Sequence, residues 1–269
     1  MRLRRAGTGG EPGKVDAGAS AAPAVATAND PRYGLTPLIA VAATIAIFFV
    51  SQIVAGLIML PFIHQQDGAS TLDGSTTAQF FVVLIVEVVA VSLVLWLLKA
   101  RKLKPSFIGL VKPKLMDTVY ALAGFAVYFP VYQAVYFLSQ FLLPNINYNQ
   151  KQDLGFNSVA GSNQMVLVFI SLVILPPIAE EIMMRGLLFS GLRTRLKLLP
   201  AMVITSALFA VAHLEFGSGN ALLWTAAMDT FILSLVLCFL REKTHSLIPG
   251  MILHGLKNCI AFVYLYGMR

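Results

Sequence analysis

The chain has 269 residues, of which 57% are hydrophobic and 12% charged, and its mean hydropathy is +0.76. Soluble domains carry about a quarter of their residues as Asp, Glu, Lys and Arg, so this composition excludes an ordinary soluble fold and points to a polytopic membrane protein. A net charge of +7 suggests nucleic acid in a soluble chain, but in a membrane protein basic residues belong first to the loops. Eleven of the twenty Lys and Arg lie there, so no nucleic-acid partner is expected.

Residues 1–34 are rich in Ala, Gly and Pro with scattered charge and no continuous apolar run, which reads as a disordered cytoplasmic tail and not a signal peptide. Its Arg2, Arg4 and Arg5 read as solvated. Seven apolar segments follow, each near or above the roughly 17 to 25 residues that cross a hydrocarbon core. They run from Leu35 to Ile63, Phe80 to Leu98, Val119 to Leu143, Met165 to Phe189, Leu198 to Leu214, Ala221 to Leu240 and Leu247 to Tyr266. The expected fold is all-α, a transmembrane helix bundle of about seven spans, with eight as the alternative.

The connections alternate in charge. Segments 99–118, 190–197 and 241–246 carry six, three and two Lys or Arg, whereas 64–79, 144–164 and 215–220 carry only Lys151. By the positive-inside rule the first set is cytoplasmic, which puts the N-terminus inside and the C-terminus on the opposite side. The basic loop from Lys99 to Lys114 reads as a topology signal first and as an attraction to anionic membrane lipids second. Cys238 and Cys259 stand in apolar segments without CxxC spacing, so both read as packing residues.

Pro61, Gly124, Pro130, Pro176, Pro177 and Pro249 predict kinks, tolerated where neighbouring helices re-satisfy freed backbone groups. Because the residue before a proline resists the helical region, Pro176-Pro177 is expected to split the fourth segment into a short apolar lead and a helix starting at Pro177.

Within the spans stand Glu87, Glu180, Glu181, Arg185, His213, Asp229, His254 and Lys257. An ionisable side chain at membrane depth costs at least about 2.5 kcal/mol on insertion scales, so each is a candidate functional residue. Glu181 and Arg185 are four apart and share a helix face, which predicts an ion pair. Glu180 then points about 100° away, towards a cavity. His254 and Asn258 project a ring and an amide from one face of the last span, and Phe209 and His213 repeat the spacing in the fifth. Asp229 and Lys257 are expected to pair or to line the cavity, Glu87 reads as a protonated or hydrogen-bonded carboxyl, and His64, His245 and Glu215 as interfacial.

Depth is a stricter test. At about 1.5 Å per residue, Glu180 lies ~14 Å from the inner end of its span, His254 ~10 Å, and Asn258 and Asp229 ~16 Å. His213 comes out at ~22 Å, so the fifth helix must tilt or be bounded differently.

A carboxylate and an imidazole that activate water, with an imidazole and an amide that hold a tetrahedral oxyanion, are the parts of a peptide-bond hydrolase. Such a site needs no cofactor. Glu180, His213 and His254 are also a zinc-type donor set, although no HExxH is present and the three residues lie on separate helices.

Taken in order, Glu180-Glu181-x-x-x-Arg185, Phe209-x-x-x-His213 and His254-x-x-x-Asn258 resemble the three signature motifs of the CAAX-protease and bacteriocin-processing family of intramembrane proteases. The resemblance spans Met165 to Asn258. It implies that Glu180 is the general base, that His213 is its partner, and that His254 and Asn258 form the oxyanion site, with Glu181 and Arg185 in support. It also implies a membrane-embedded active-site cavity, a membrane-associated protein or peptide as substrate, and a catalytic core at 144–269 following the N-terminal transmembrane helices of 35–143. Thr244-His245-Ser246-Leu247 resembles the family's usual Thr-Gly-Ser-Leu, with His245 in place of glycine. Two other functions fit the buried charges: an ion- or proton-coupled transporter using Glu87 or Asp229, and a non-catalytic scaffold or immunity protein in which the motifs only hold helices together.

Overall fold

The computed structural model describes residues 34–62, 65–66, 69–70, 75–150, 155–156, 159, 161–215 and 221–267. The expected tail up to residue 33, His64 and Lys151 lie outside them. The chain divides into Met1–Asp30 and Pro31–Arg269, and the second unit holds every element described below.

Local capping chemistry sets where the helices begin. Helix α1 (Pro37–Met59) starts behind Thr36, whose hydroxyl accepts from the Ile39 N–H at 3.4 Å, with proline at its first position. Helix α2 (Thr76–Ala100) starts behind Ser75, which accepts from the Ala78 N–H at 3.3 Å. In α3 (Leu115–Leu142) the Asp117 carboxylate reaches back to the Lys114 N–H at 2.7 Å. Helices α4 (Gly161–Arg193), α5 (Leu198–Ala212), α6 (Trp224–Thr244) and α7 (Ile248–Tyr266) complete the bundle. A two-residue antiparallel pair, β1 (Gln65–Gln66) with β2 (Ala69–Ser70), lies between α1 and α2.

All seven expected apolar segments are therefore helical. Six are long and apolar enough to cross a membrane, whereas α5 has only 15 residues, about 22 Å at 1.5 Å per residue, against a hydrocarbon core of roughly 30 Å. The outward faces are apolar, as lipid requires. On α1, Phe49, Ile53 and Leu57 form an exposed stripe at intervals of four, while Ala40, Thr44, Ser51 and Ala55 turn inward. Small inward residues let neighbouring helices approach closely. Helix α1 packs chiefly on α2, α5 on α6, and α3 on both α6 and α7. One cluster joins α3, α6 and α7 through Ala121, Leu233, Leu237 and Leu253, and another joins α4, α5 and α6 through Leu188, Phe189, Phe209 and Cys238.

Helix α4 does not split at Pro176-Pro177, which corrects the expected break. It changes gauge instead: α-helical at Gly161–Phe169, π-helical at Ile170–Ile174, α-helical at Leu175–Glu180, π-helical at Glu181–Phe189, and α-helical again at Ser190–Arg193. The Leu175 N–H reaches back five residues to the Ile170 carbonyl. The wider turn accommodates the proline rings, which would otherwise collide with the carbonyls one α-turn earlier. Glu180 ends one gauge and Glu181 begins the next.

Candidate active site

Glu181 and Arg185 form the buried base of the site. Arg185 Nη1 donates to Glu181 Oε1 at 2.9 Å, with the two side chains 0% and 1% exposed. Its guanidinium carbon stands 4.5 Å from the centroid of the Phe209 ring, a cation–π contact in a dry setting. Gly250 on α7 makes room for the carboxylate, because a methyl group there would lie 2.7 Å from Glu181 Oε2.

Glu180 stays out of that pair. Its side chain is 23% exposed, and its Oε2 lies 3.8 Å from His254 Nε2, while His254 Nδ1 lies 3.4 Å from Glu181 Oε1. The His254 ring is thus set between two adjacent carboxylates, one sealed and one accessible. Neither contact is a formed hydrogen bond: 3.8 Å is too long, and Nδ1 has no bonding partner of good geometry. Glu180 keeps its acceptor capacity for another molecule.

His213 caps α5 as the residue following Ala212, and its Nδ1 lies 2.8 Å from the Phe209 carbonyl. A ring nitrogen facing a carbonyl carries the proton, which leaves Nε2 as the acceptor. Phe209, one turn earlier, connects His213 to the other motifs. Its ring lies 4.6 Å from that of His213 and 6.0 Å from that of His254, and under Arg185. Helix α5 ends at Ala212 with His213 as its cap, and Phe209 joins that cap to Arg185 and His254.

Asn258 has a partner that sequence spacing does not reveal. Its Nδ2 donates to the Leu172 carbonyl at 2.9 Å. In an α-helix that carbonyl would accept from residue 176, and in a π-helix from residue 177. Both are prolines and neither has an N–H. The double proline strips Leu172 of either helical donor, and the amide of α7 replaces it.

Asp229 and Lys257 pair at 3.0 Å, with side chains 15% and 24% exposed. Tyr128 on α3 donates its hydroxyl to the other Asp229 oxygen, a partner that sequence reading missed because Tyr128, Tyr132 and Tyr136 look like an ordinary aromatic stripe at intervals of four. Lys257 shares the α7 face of His254 and Asn258, three residues from the first. Glu87 is half-buried on α2, Glu215 is half-buried with a left-handed φ of 54°, His245 is exposed, and both cysteines are unpaired. Among the described residues, no three His, Cys, Asp or Glu side chains gather closely enough to hold a metal ion.

Residues 162–260 match the family model described as type II CAAX prenyl endopeptidase Rce1-like. The match covers all three motifs and supports the CAAX-protease assignment drawn from them. Among the described residues, six helices are long and apolar enough to span a bilayer, which together with the family match supports an integral membrane protein. No curated protein and no solved structure matches the chain.

Proposed function

We propose that this CAAX-protease-like chain hydrolyses a peptide bond of a membrane-associated protein or peptide with a water molecule activated by Glu180. The observation that carries the reading is the division of labour between adjacent glutamates: Glu181 is buried against Arg185, whereas Glu180 is partly accessible beside His254.

Glu180 takes one proton from water, whose other hydrogen is held by the acceptor nitrogen of His213, as the water oxygen bonds to the scissile carbonyl carbon. The carbonyl oxygen becomes an oxyanion, and His254 and the second N–H of Asn258 face it. As the carbon–nitrogen bond breaks, the proton held by Glu180 passes to the leaving nitrogen, and the amine so released takes up the proton of the new carboxylic acid, giving a carboxylate and an ammonium. Each residue returns to its starting state, and no step draws on a metal ion. The basic connections support a cytoplasmic N-terminus and a cytoplasmic loop of residues 99–114.

Purified full-length protein in detergent, offered a quenched-fluorescence library of membrane-anchored peptides, tests the reading. Cleavage is expected from the wild type and lost on Glu180→Ala and on His254→Ala. Unchanged turnover in both variants would sink the mechanism.

A further inference from the structure

At the end of the bundle that carries the basic connections, a cavity of about 390 Å³ opens between the ends of α4 and α6 and the loop of residues 99–114. Its walls include Ser190, Arg193, Arg241, Glu242 and His245. The hydrolytic residues described above are not among them.

The charges in this cavity do not balance. Arg193 holds Glu242 in a two-pronged pair at 3.0 and 2.7 Å and gives a third N–H to the Leu196 carbonyl at 2.6 Å. That pairing uses the one carboxylate among the described residues of the cavity wall. Arg241 is 9% exposed, and its Nη2 donates only to the neutral Phe107 carbonyl and Ser190 hydroxyl, at 3.0 and 3.2 Å. Among the described residues, its Nε has no hydrogen-bond partner. A buried guanidinium with only neutral acceptors is costly unless a counter-ion completes it.

The local backbone is shaped around that guanidinium. Gly109 has a φ of 84°, and a methyl group there would lie 2.6 Å from Arg241 Nε, so only glycine fits. His245 adopts a φ of 55° at the end of α6, in the left-handed region that side chains rarely enter, and presents an exposed imidazole to the cavity. Arg193 retains two of its five N–H donors, Arg241 retains three, and His245 adds a ring N–H.

We propose that this cavity binds a phosphate group, with Arg241 supplying the uncompensated charge and Arg193 and His245 supplying further donors. Guanidinium forks match phosphate oxygens in geometry as well as in charge. The cavity lies at the ends of two spanning helices, the level at which headgroup phosphates meet the protein, so a lipid headgroup and free phosphate are the two sources of this chemistry.

The test uses full-length protein in neutral detergent, with the unfolding midpoint read by intrinsic fluorescence. Dioctanoyl phosphatidylglycerol, dioctanoylglycerol and inorganic phosphate at constant ionic strength are titrated separately. A saturable rise in midpoint is expected with a phosphate-bearing ligand and none with dioctanoylglycerol. Whichever of phosphatidylglycerol and inorganic phosphate half-saturates at the lower concentration identifies the source. Arg241→Gln should raise the half-saturating concentration by about tenfold or more, and His245→Gly by a few-fold. If Arg241→Gln does not fold, His245→Gly carries the test. The proposal is overturned if neither phosphate ligand shifts the midpoint, if dioctanoylglycerol shifts it equally, or if the folded variants keep the wild-type half-saturation.

Discussion

The Asn258 side chain donates to the Leu172 carbonyl at 2.9 Å, across two helices, at the one acceptor that Pro176 and Pro177 together deprive of both possible helical donors. The change of helical gauge before Glu180 and the Asn258 amide are thereby a single linked feature. Asn258→Ala should destabilise the protein by about 1 kcal/mol, because a partly buried acceptor is left unpaired. In a Pro176→Ala background, which restores an N–H one α-turn from Leu172, the same change should cost about 1 kcal/mol less. Denaturant unfolding of the four proteins checks this; additive effects would separate Asn258 from the prolines.

Removing Glu181 leaves Arg185 buried without a counter-ion. Glu181→Ala should therefore cost about 3 to 5 kcal/mol of stability, while Glu180→Gln, which alters a partly exposed group outside the pair, should leave the unfolding transition near that of the wild type. Thermal unfolding in detergent distinguishes them. Equal losses would mean that the two glutamates are structurally equivalent.

Gly250→Ala should act on the site through Glu181. The added methyl group would stand 2.7 Å from Glu181 Oε2, and overpacking of this kind typically costs about 1 to 3 kcal/mol. Turnover should fall at least tenfold in membrane preparations that retain folded protein, as judged by size-exclusion profile.

His245 occupies the position where the family usually has glycine, and its φ of 55° explains the usual choice. His245→Gly should raise stability by up to about 1 kcal/mol without added ligand, as measured by the unfolding midpoint. A lower midpoint would show that the imidazole contributes more than its backbone conformation costs.

A reaction carried by glutamate and histidine alone should survive chelation. Dialysis against a strong chelator, followed by elemental analysis, should leave turnover unchanged and the protein free of stoichiometric zinc. Loss of turnover restored by added zinc would transfer the site to metal chemistry.

The helices and the Glu181–Arg185 pair are legible in the sequence because hydropathy and a spacing of four act locally. The course of α4 through Pro176-Pro177 is not, since a proline announces a missing donor but not the long-range amide that takes its place. The way His213 meets the other motifs is not legible either: α5 does begin at Leu198, which keeps His213 ~22 Å along it, and the link runs through the packing of Phe209 against both His213 and His254. Nothing local in the sequence marks Tyr128 as the partner of Asp229 or Arg241 as a buried cation without a carboxylate, because both facts depend on which helices meet.

The turnover of Glu180→Gln against a peptide that the wild type cleaves tests the central claim most directly. A general base removed from water activation should lower kcat by about 10² to 10⁴-fold with the unfolding transition unchanged. A kcat within threefold of the wild type, in folded protein, would contradict the account.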